Sequence, residues 1–221
     1  MLKICELFVA IEGETEYIGL PIIFVRTQGC NLRCSFCDTK YAQNGGGKEV
    51  HSYTVLDVVK MVQKYSLKSG GITLVCLTGG EPLDQKESLA LVAELTREGF
   101  KVIVETNGSK NIKEYSQIKD CIIAMDIKTP SSGMKNMMKF SNCKYLRPQD
   151  QLKFIIDDKK DYEYAKDMVK TYHKYGQVIF TPVGGLELKW LMEKVLEDKL
   201  TEVRILPQLH KWAYPPNKRG V

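Results

Sequence analysis

Short apolar segments alternate with helical patterns along the 221 residues of this chain. The helical patterns repeat apolar side chains at i, i+3, i+4 and i+7, as in Val55, Val58, Val59 and Val62. Such alternation favours right-handed βαβ units and a parallel sheet. Because roughly six or seven units are too few for a closed eight-stranded barrel, we predict an α/β fold, an open partial (β/α)6-type barrel with mostly parallel strands. The predicted strands are 22–26, 72–77, 101–105, 121–126, 151–156, 177–181 and 202–206.

Bulk composition is compatible with one domain over residues 1–221. Hydrophobic residues make up 43% of the chain and charged residues 27%, enough for a substantial core. The net charge of +5 is mild and scattered, so we expect no nucleic-acid partner, and no apolar stretch is long enough to suggest a membrane span. Segments 43–48 and 130–148 are typical of loops. We predict Thr54 and Asp161 at helix N-termini.

The seven cysteines divide into two groups. Four of them stand singly, mostly in apolar runs, and are predicted to be core thiols: Cys5, Cys76, Cys121 and Cys143. Such reduced thiols indicate a cytoplasmic location.

The other cysteines, Cys30, Cys34 and Cys37, are separated by three and two residues in a loop near residues 30–39. Thiolates bind iron, and a cubane iron–sulfur cluster normally takes four protein ligands, so three of them leave one iron open to a small molecule. A zinc site is the alternative, but zinc needs a fourth ligand, and His51 does not have the right spacing. The pattern favours a 4Fe–4S cluster.

Polar motifs follow four of the predicted strands. Strand 72–77 runs into Thr78-Gly79-Gly80-Glu81-Pro82, where two glycines allow close approach of the backbone to a ligand and Glu81 adds an anionic acceptor. The chemistry of barrel folds gathers at such C-terminal strand ends. At the ends of two other strands, Glu105 and the pair Asp126 and Lys128 could also bind a ligand. The alternative for Glu105 is a strand that simply ends in an Asn-Gly turn, and the alternative for Asp126 and Lys128 is a structural salt bridge.

The cysteine spacing and the Gly-Gly-Glu-Pro run resemble the radical S-adenosylmethionine (SAM) superfamily. The resemblance implies that SAM occupies the open iron and that an electron donor such as flavodoxin or ferredoxin drives its cleavage. The resulting adenosyl radical abstracts hydrogen from the substrate, so no protein residue is predicted to be catalytic. The predicted SAM-binding residues are Gly79, Gly80, Glu81, Glu105, Asp126, Ile127, Lys128, Thr181, Pro182, Val183 and Gly184.

The flanking segments 7–14, 206–211 and 217–221 narrow the resemblance to the 7-carboxy-7-deazaguanine synthase family of queuosine biosynthesis. This resemblance implies a lyase that converts 6-carboxy-5,6,7,8-tetrahydropterin to 7-carboxy-7-deazaguanine and releases ammonia. It also implies Mg²⁺ at the substrate carboxylate, N- and C-terminal segments that cap the substrate, and a homodimer.

The same resemblance assigns roles to single residues. Thr39 matches a magnesium-binding threonine, with a loop-capping hydroxyl as the alternative. Arg26 matches a carboxylate-binding arginine, and Glu12 stands where many members have glutamine. Each of three further residues has a structural alternative. Glu14 could be an exposed strand carboxylate, His210 a structural histidine, and Val221 part of a frayed tail. The predicted substrate-binding residues are Ile11, Glu12, Gly13, Glu14, Arg26, Thr78, His210 and, through its terminal carboxylate, Val221.

Two other functions stay open on the sequence alone. Small radical SAM proteins also activate glycyl-radical enzymes, and Asp126-Ile127-Lys128 occurs in such activating proteins. That function needs a docking face for a large partner and no pterin pocket. The third interpretation is an iron–sulfur or zinc module with a structural role only.

Overall fold

The computed structural model describes residues 1–43, 50–185, 188–215 and 218–221, so most of the predicted loop 43–48 lies outside the described residues. Five α-helices in this part of the chain are α1 Val55–Lys68, α2 Ser88–Arg97, α3 Lys159–Tyr172, α4 Lys189–Glu197 and α5 Leu209–Ala213. The strands are β1 Leu2–Ile11, β2 Pro21–Thr27, β3 His51–Tyr53, β4 Leu74–Gly79, β5 Lys101–Thr106, β6 Cys121–Asp126, β7 Gln151–Ile156, β8 Gln177–Pro182 and β9 Val203–Ile205.

The described strands form one open sheet in the order β3-β1-β2-β4-β5-β6-β7-β8-β9. All neighbours from β2 to β9 are parallel, whereas β1 pairs antiparallel with both β2 and β3. The prediction of an open, mostly parallel α/β fold is therefore confirmed. The predicted strands do not include β1 and β3. β3 has only three residues, and the half-buried β1 lacks a regular alternation of buried and exposed side chains.

The predicted helical patterns are confirmed for α1, α3 and α4. Thr54 caps α1, since its side chain accepts from the backbone of Asp57 and the Asp57 carboxylate accepts in return. The start predicted at Asp161 is wrong. Asp158 caps α3 instead, and Asp161 lies buried, where it accepts a hydrogen bond from the Ser131 backbone at 2.9 Å. Segment 130–148 contains three short 3₁₀ helices rather than plain loop.

The two faces of the sheet have different surroundings. The outer face packs against the helices in a large apolar core. On the inner face a smaller apolar layer includes Phe24, Cys76 and Ala124. Two residues further along, at the C-terminal ends, the same face carries polar side chains because strand side chains alternate with period two. These polar residues are Arg26, Thr78, Glu105 and Asp126.

Within the described ranges, none of the helices combines the length and the apolar character that crossing a bilayer requires.

The helix layer stabilises the sheet by burial, which two leucines on neighbouring helices can test. Leu95 on α2 is fully buried, and Leu67 on α1 is 82% exposed. Leu95→Ala is expected to lower the free energy of unfolding by about 2–5 kcal/mol, since it leaves a cavity. Leu67→Ala is the control and should change it by less than about 0.5 kcal/mol. Chemical denaturation of both variants measures the difference, and equal losses would contradict this packing.

Candidate active site

A buried ammonium lies at the centre of the polar inner face. Lys153 on β7 is 4% exposed, and its Nζ lies 3.6 Å from Glu14 and 3.5 Å from Glu105. Burial alone would lower the pKa of Lys153, but Glu105 and Glu14 raise it above its ordinary value. Lys153 therefore carries its charge. The sequence analysis missed it, although a lysine inside the apolar strand β7 is a detectable signal.

This charge network joins predicted residues from separate strands. The Thr78 hydroxyl donates to Glu105 at 2.9 Å. On β2, Arg26 Nε donates to Glu6 at 2.9 Å. Four predicted residues, Glu14, Arg26, Thr78 and Glu105, thus gather at the C-terminal end of the sheet.

Glu12 is buried beside this network. Its Oε1 accepts from the backbone nitrogens of Glu14 at 2.9 Å and Thr15 at 3.3 Å. Burial and then the charge of Glu105 raise the pKa of Glu12 to about 7. A carboxyl group with this pKa is partly protonated at neutral pH. It can therefore donate as well as accept hydrogen bonds, as a glutamine would.

Several buried polar atoms on the inner face have no hydrogen-bond partner within the described ranges. They are Glu12 Oε2, Asp126 Oδ1, Thr181 Oγ1 and Gln151 Nε2. Buried polar groups in proteins are normally paired, so such a group of orphaned atoms indicates partners on bound molecules. Three of these four residues were predicted from the sequence, and Gln151 was not.

Asp126 and Lys128 form the ion pair that was the structural alternative, at 2.8 Å, and Asp126 still keeps its free Oδ1. Burial raises the pKa of the Cys34 thiol and the charge of Lys128 opposes that rise, so this pair lies near the cysteine loop. Ile127 differs from its neighbours. Its side chain is buried in the outer core with Met125, because alternate strand positions face opposite sides.

The cysteine loop is held on both sides by neighbouring loops. Ser35 donates through its hydroxyl to Ser131 at 2.6 Å, and the amide of Asn107 lies 3.8 Å from Cys30 Sγ. Cys30, Cys34 and Cys37 are half-buried free thiols, and the charges of Cys37 and Cys30 contribute to the raised pKa of Cys34. The other four cysteines are buried, as predicted.

The loop after β4 is pressed against the end of β2. A Cβ on Gly79 would lie 2.3 Å from the Thr27 carbonyl oxygen, and one on Gly80 would lie 2.1 Å from that of Gly29. Backbone hydrogen bonds join Gly80 to Thr27 at 3.2 Å and Glu81 to Gly29 at 2.8 Å. The two glycines are therefore required for contact with the segment that enters the cysteine loop.

Glu81 connects this loop to the end of β5. Its fully buried carboxylate accepts from the Thr106 hydroxyl at 2.8 Å and the Asn107 backbone at 2.7 Å. Burial raises the pKa of Glu81 to about 7, although these hydrogen bonds act to lower it. The structure thus gives the Glu81 side chain protein partners, and its contact with a cofactor stays a prediction.

Thr39 follows the last cysteine of the loop and precedes a short 3₁₀ helix. Its side chain makes no capping hydrogen bond within the described residues, and its nearest polar contact is Cys37 Sγ at 3.8 Å. The Cys37 contact is within hydrogen-bonding distance for sulfur and stays inside the loop, so the loop-capping alternative remains and magnesium binding by Thr39 stays a prediction.

Close to this loop, Glu14, Asp38 and His210 hold potential metal-ligand atoms within 4.8 Å of one another. Each of the two carboxylates already faces an ammonium, Asp38 at 2.8 Å from Lys211 and Glu14 at 3.6 Å from Lys153. Protein cations therefore already balance the charge of this cluster.

The C-terminal segment packs on the N-terminal segment beside the inner face. Leu209 donates its backbone N–H to the Gly13 carbonyl at 3.0 Å, and Gln208 donates to Glu14 at 3.0 Å. A Cβ on Gly13 would lie 3.0 Å from His210 Nδ1, which itself lies 3.8 Å from Glu14. Glu14 is therefore not the exposed strand carboxylate of the alternative.

Other predicted residues lie further from the charge network. Ile11 is 47% exposed. It follows Leu7 and Val9 on the outer face of β1, away from the charge network. Pro182 ends β8, and Val183 and Gly184 follow it in a 3₁₀ turn where Gly184 has a φ of 75°. The carbonyl of Gly185 then accepts from the Trp212 indole at 3.1 Å, which joins this turn to α5. Val221 is half-buried.

Comparison with known proteins shows what this chain is similar to. The sequence pattern described as the Radical SAM superfamily matches residues 24–198. The chain is 39% identical over 213 residues to the 7-carboxy-7-deazaguanine synthase of Thermoplasma acidophilum, across 96% of this chain and 97% of that protein. It is 37% identical over 224 residues to the protein of the same name from Clostridium acetobutylicum, across 99% of both chains.

A solved structure has the same fold. The crystal structure of QueE from Escherichia coli matches 93% of this chain and 94% of its own, with a TM-score of 0.73 and 19% sequence identity. At this identity the likeness supports the fold alone.

The contact of Gly80 with Gly29 predicts that Gly80→Ala displaces the cysteine loop. We expect most of the iron bound after anaerobic reconstitution to be lost, because the added methyl group meets backbone rather than a movable side chain. Gly99→Ala is the control for backbone strain alone, since Gly99 has a φ of 89° but its Cβ would meet nothing within 4 Å, and it should keep its iron. Iron and sulfide analysis of both variants decides the matter, and full iron content in Gly80→Ala would contradict it.

Proposed function

The chain belongs to the 7-carboxy-7-deazaguanine synthase family of the radical SAM superfamily, and on this premise we propose that it converts 6-carboxy-5,6,7,8-tetrahydropterin to 7-carboxy-7-deazaguanine with release of ammonia. The observation that carries the proposal is the group of orphaned buried polar atoms on the inner face, of which Asp126 lies near the three-cysteine loop. The relatives support this lyase and give no support to a glycyl-radical activating protein or to a purely structural module.

The radical SAM family implies a 4Fe–4S cluster and SAM, and the residues fit both groups. Cys30, Cys34 and Cys37 would hold the cluster as soft sulfur ligands, and the four core cysteines are buried elsewhere. When bound, these groups supply one-electron cleavage and hydrogen abstraction. The unpaired Asp126 and Thr181 oxygens would accept hydrogen bonds from SAM, whereas Lys128 would donate one.

The substrate would lie against the N-terminal segment. Arg26, held through Nε by Glu6, would present its other nitrogens to the pterin carboxylate. The free oxygen of Glu12 and the carboxylate of Glu14 would bind the polar edge of the ring. Beneath them, the apolar layer that includes Phe24 and Cys76 would exclude water from the reacting carbon. Thr78 and His210 would complete the pocket.

The proposal also includes a Mg²⁺ ion, a hard cation that prefers oxygen ligands. Thr39 would provide one oxygen ligand and the substrate carboxylate another, with waters completing the octahedral shell that Mg²⁺ prefers. The Thr39 hydroxyl makes no helix-capping hydrogen bond within the described residues, which supports this role.

A flavodoxin or ferredoxin is proposed as the electron donor. Residues 127–149 contain four lysines, one arginine and no acidic residue. Hydrogen bonds from Ser35 connect this basic segment to the cysteine loop. An acidic carrier bound there would lie close to the cluster and would be steered by charge. A cytoplasmic location is proposed from the reduced thiols, and a homodimer is carried over from the family resemblance.

An anaerobic turnover assay with 6-carboxytetrahydropterin, SAM, Mg²⁺ and a reductant tests the proposal directly. The deazaguanine chromophore is the expected product. SAM cleavage without that product would reject the proposed substrate, and a colourless reconstituted protein would reject the cluster.

The cluster assignment predicts that Cys34→Ala abolishes iron binding, because a three-ligand site cannot lose one thiolate and keep the cubane. Cys143→Ala is the matched control and should retain the full iron content, since Cys143 is a buried core thiol. Iron and sulfide counts on the two purified variants are the measurement. A full cluster in Cys34→Ala would reject the assignment.

For magnesium, Thr39→Ala should raise the Mg²⁺ concentration for half-maximal turnover about tenfold, as expected for about 1.4 kcal/mol of lost ligation. Thr39→Ser keeps the hydroxyl and serves as the control. SAM affinity should stay unchanged in both variants. An identical Mg²⁺ response in wild type and Thr39→Ala would remove Thr39 from the metal site.

The raised pKa of Glu12, about 7, predicts a pH-dependent affinity for the anionic pterin. Above that pKa, Glu12 loses the proton that it could donate to the polar edge of the ring, so KM should rise with pH by up to about tenfold in total. Glu12→Gln stays neutral and should give a flatter profile. The measurement is KM for the pterin from about pH 6 to about pH 8.5, with SAM affinity as the control. Parallel profiles would show that Glu12 does not titrate at the substrate.

A further inference from the structure

A β-bulge in β1 aims Glu6 at the inner face. Leu2 and Ile4 pack in the outer core, as do Leu7 and Val9. This change of parity coincides with a register shift between Ile4 and Glu6 in the pairing with β2. Without the extra residue, Glu6 would face the helices rather than Arg26, its partner across the strands. The bulge therefore directs one carboxylate into the site.

Three side chains from distant segments donate to this carboxylate. Arg26 Nε and the Tyr41 hydroxyl donate to Glu6 Oε2 at 2.9 and 2.8 Å, and Arg219 Nε donates to Oε1 at 2.9 Å. The Glu6 side chain is only 9% exposed. The Arg219 guanidinium also lies over the Tyr41 ring, 4.2 Å from its centroid, a favourable cation–π contact.

The contact with Glu6 holds Arg219, two residues before Val221. Lys218, Arg219 and Gly220 are exposed, yet Val221 is half-buried. Gly220 has a φ of 71°, a left-handed conformation that turns the chain immediately after Arg219. Chain ends usually fray, so a final residue that is less exposed than those before it indicates a fixed position.

We propose that Glu6 is a positioning residue that couples the C-terminal tail to the substrate-binding arginine. Through one carboxylate it would orient both Arg26 and, by way of Arg219, the terminal carboxylate of Val221. A single side chain would then set two contacts of the pterin. Arg26 would bind the carboxylate of the pterin, and the terminal carboxylate of the protein would bind its amino-pyrimidinone edge. This inference rests on the proposed function for the identity of the substrate.

The test combines tail trimming with steady-state kinetics. In Arg219→Ala, carboxypeptidase should remove Val221 faster than in wild type, as followed by mass spectrometry. KM for the pterin should rise about 10- to 100-fold, with kcat per iron and SAM affinity unchanged. Lys218→Ala is the matched control, since it removes a neighbouring exposed charge from the same tail, and it should match wild type in both readouts.

Further variants separate positioning from folding. Glu6→Gln keeps the shape of the side chain but removes the counter-charge of Arg26 and Arg219, so KM should rise at least as much and thermal stability should fall, with kcat per iron as the check that the enzyme is folded. Two residues added after Val221 should raise KM although Arg219 still holds the tail. Faster trimming with unchanged KM, or unchanged trimming in Arg219→Ala, would overturn the inference. If wild type converts no pterin, the proposed function fails, while trimming still decides whether Arg219 anchors the tail.

Discussion

The site depends on keeping charges buried at one edge of a parallel sheet. Lys153 is almost fully buried and stays charged only because Glu14 and Glu105 lie within 3.6 Å. An unpaired ammonium there would cost several kcal/mol, on the order of the effect of breaking a buried ion pair. Each carboxylate in turn has a second partner, Gln208 for Glu14 and Thr78 for Glu105. The network therefore joins β4, β5, β7 and both terminal segments into one unit.

The loops beside this network are held by contacts that leave no room for side chains. The glycines after β4 press against the end of β2, and buried Glu81 joins the same loop to the end of β5. The segment that enters the cysteine loop is thus positioned by contacts with the loop after β4, which is itself joined to the end of β5. In this part of the chain, the Gly-Gly-Glu-Pro motif has a structural explanation that is independent of the ligand.

Much of this arrangement could be predicted from the sequence. The strand–helix alternation predicts the open parallel sheet, and β6 and β7 have the predicted bounds, because a buried parallel strand is a short apolar run with clear limits. The strand-end rule also predicts that Thr78, Glu105 and Asp126 share one edge. β1 was missed because its half-buried, bulged course has no regular period, and with it the direction of Glu6 was missed.

The sequence by itself determined which chemistry this protein can carry: three soft thiols at short spacing, a glycine-rich strand end and charged residues at strand ends. Local patterns suffice there, because ligand spacing and strand period are properties of neighbouring residues. Only the tertiary structure decided which of those residues meet. Lys153 and Glu6 have no motif, Ile11 and Ile127 face away, and Glu12 acquires a pKa near neutrality. Each of these outcomes depends on burial and on charges brought close by segments far apart in the chain, which no local pattern records.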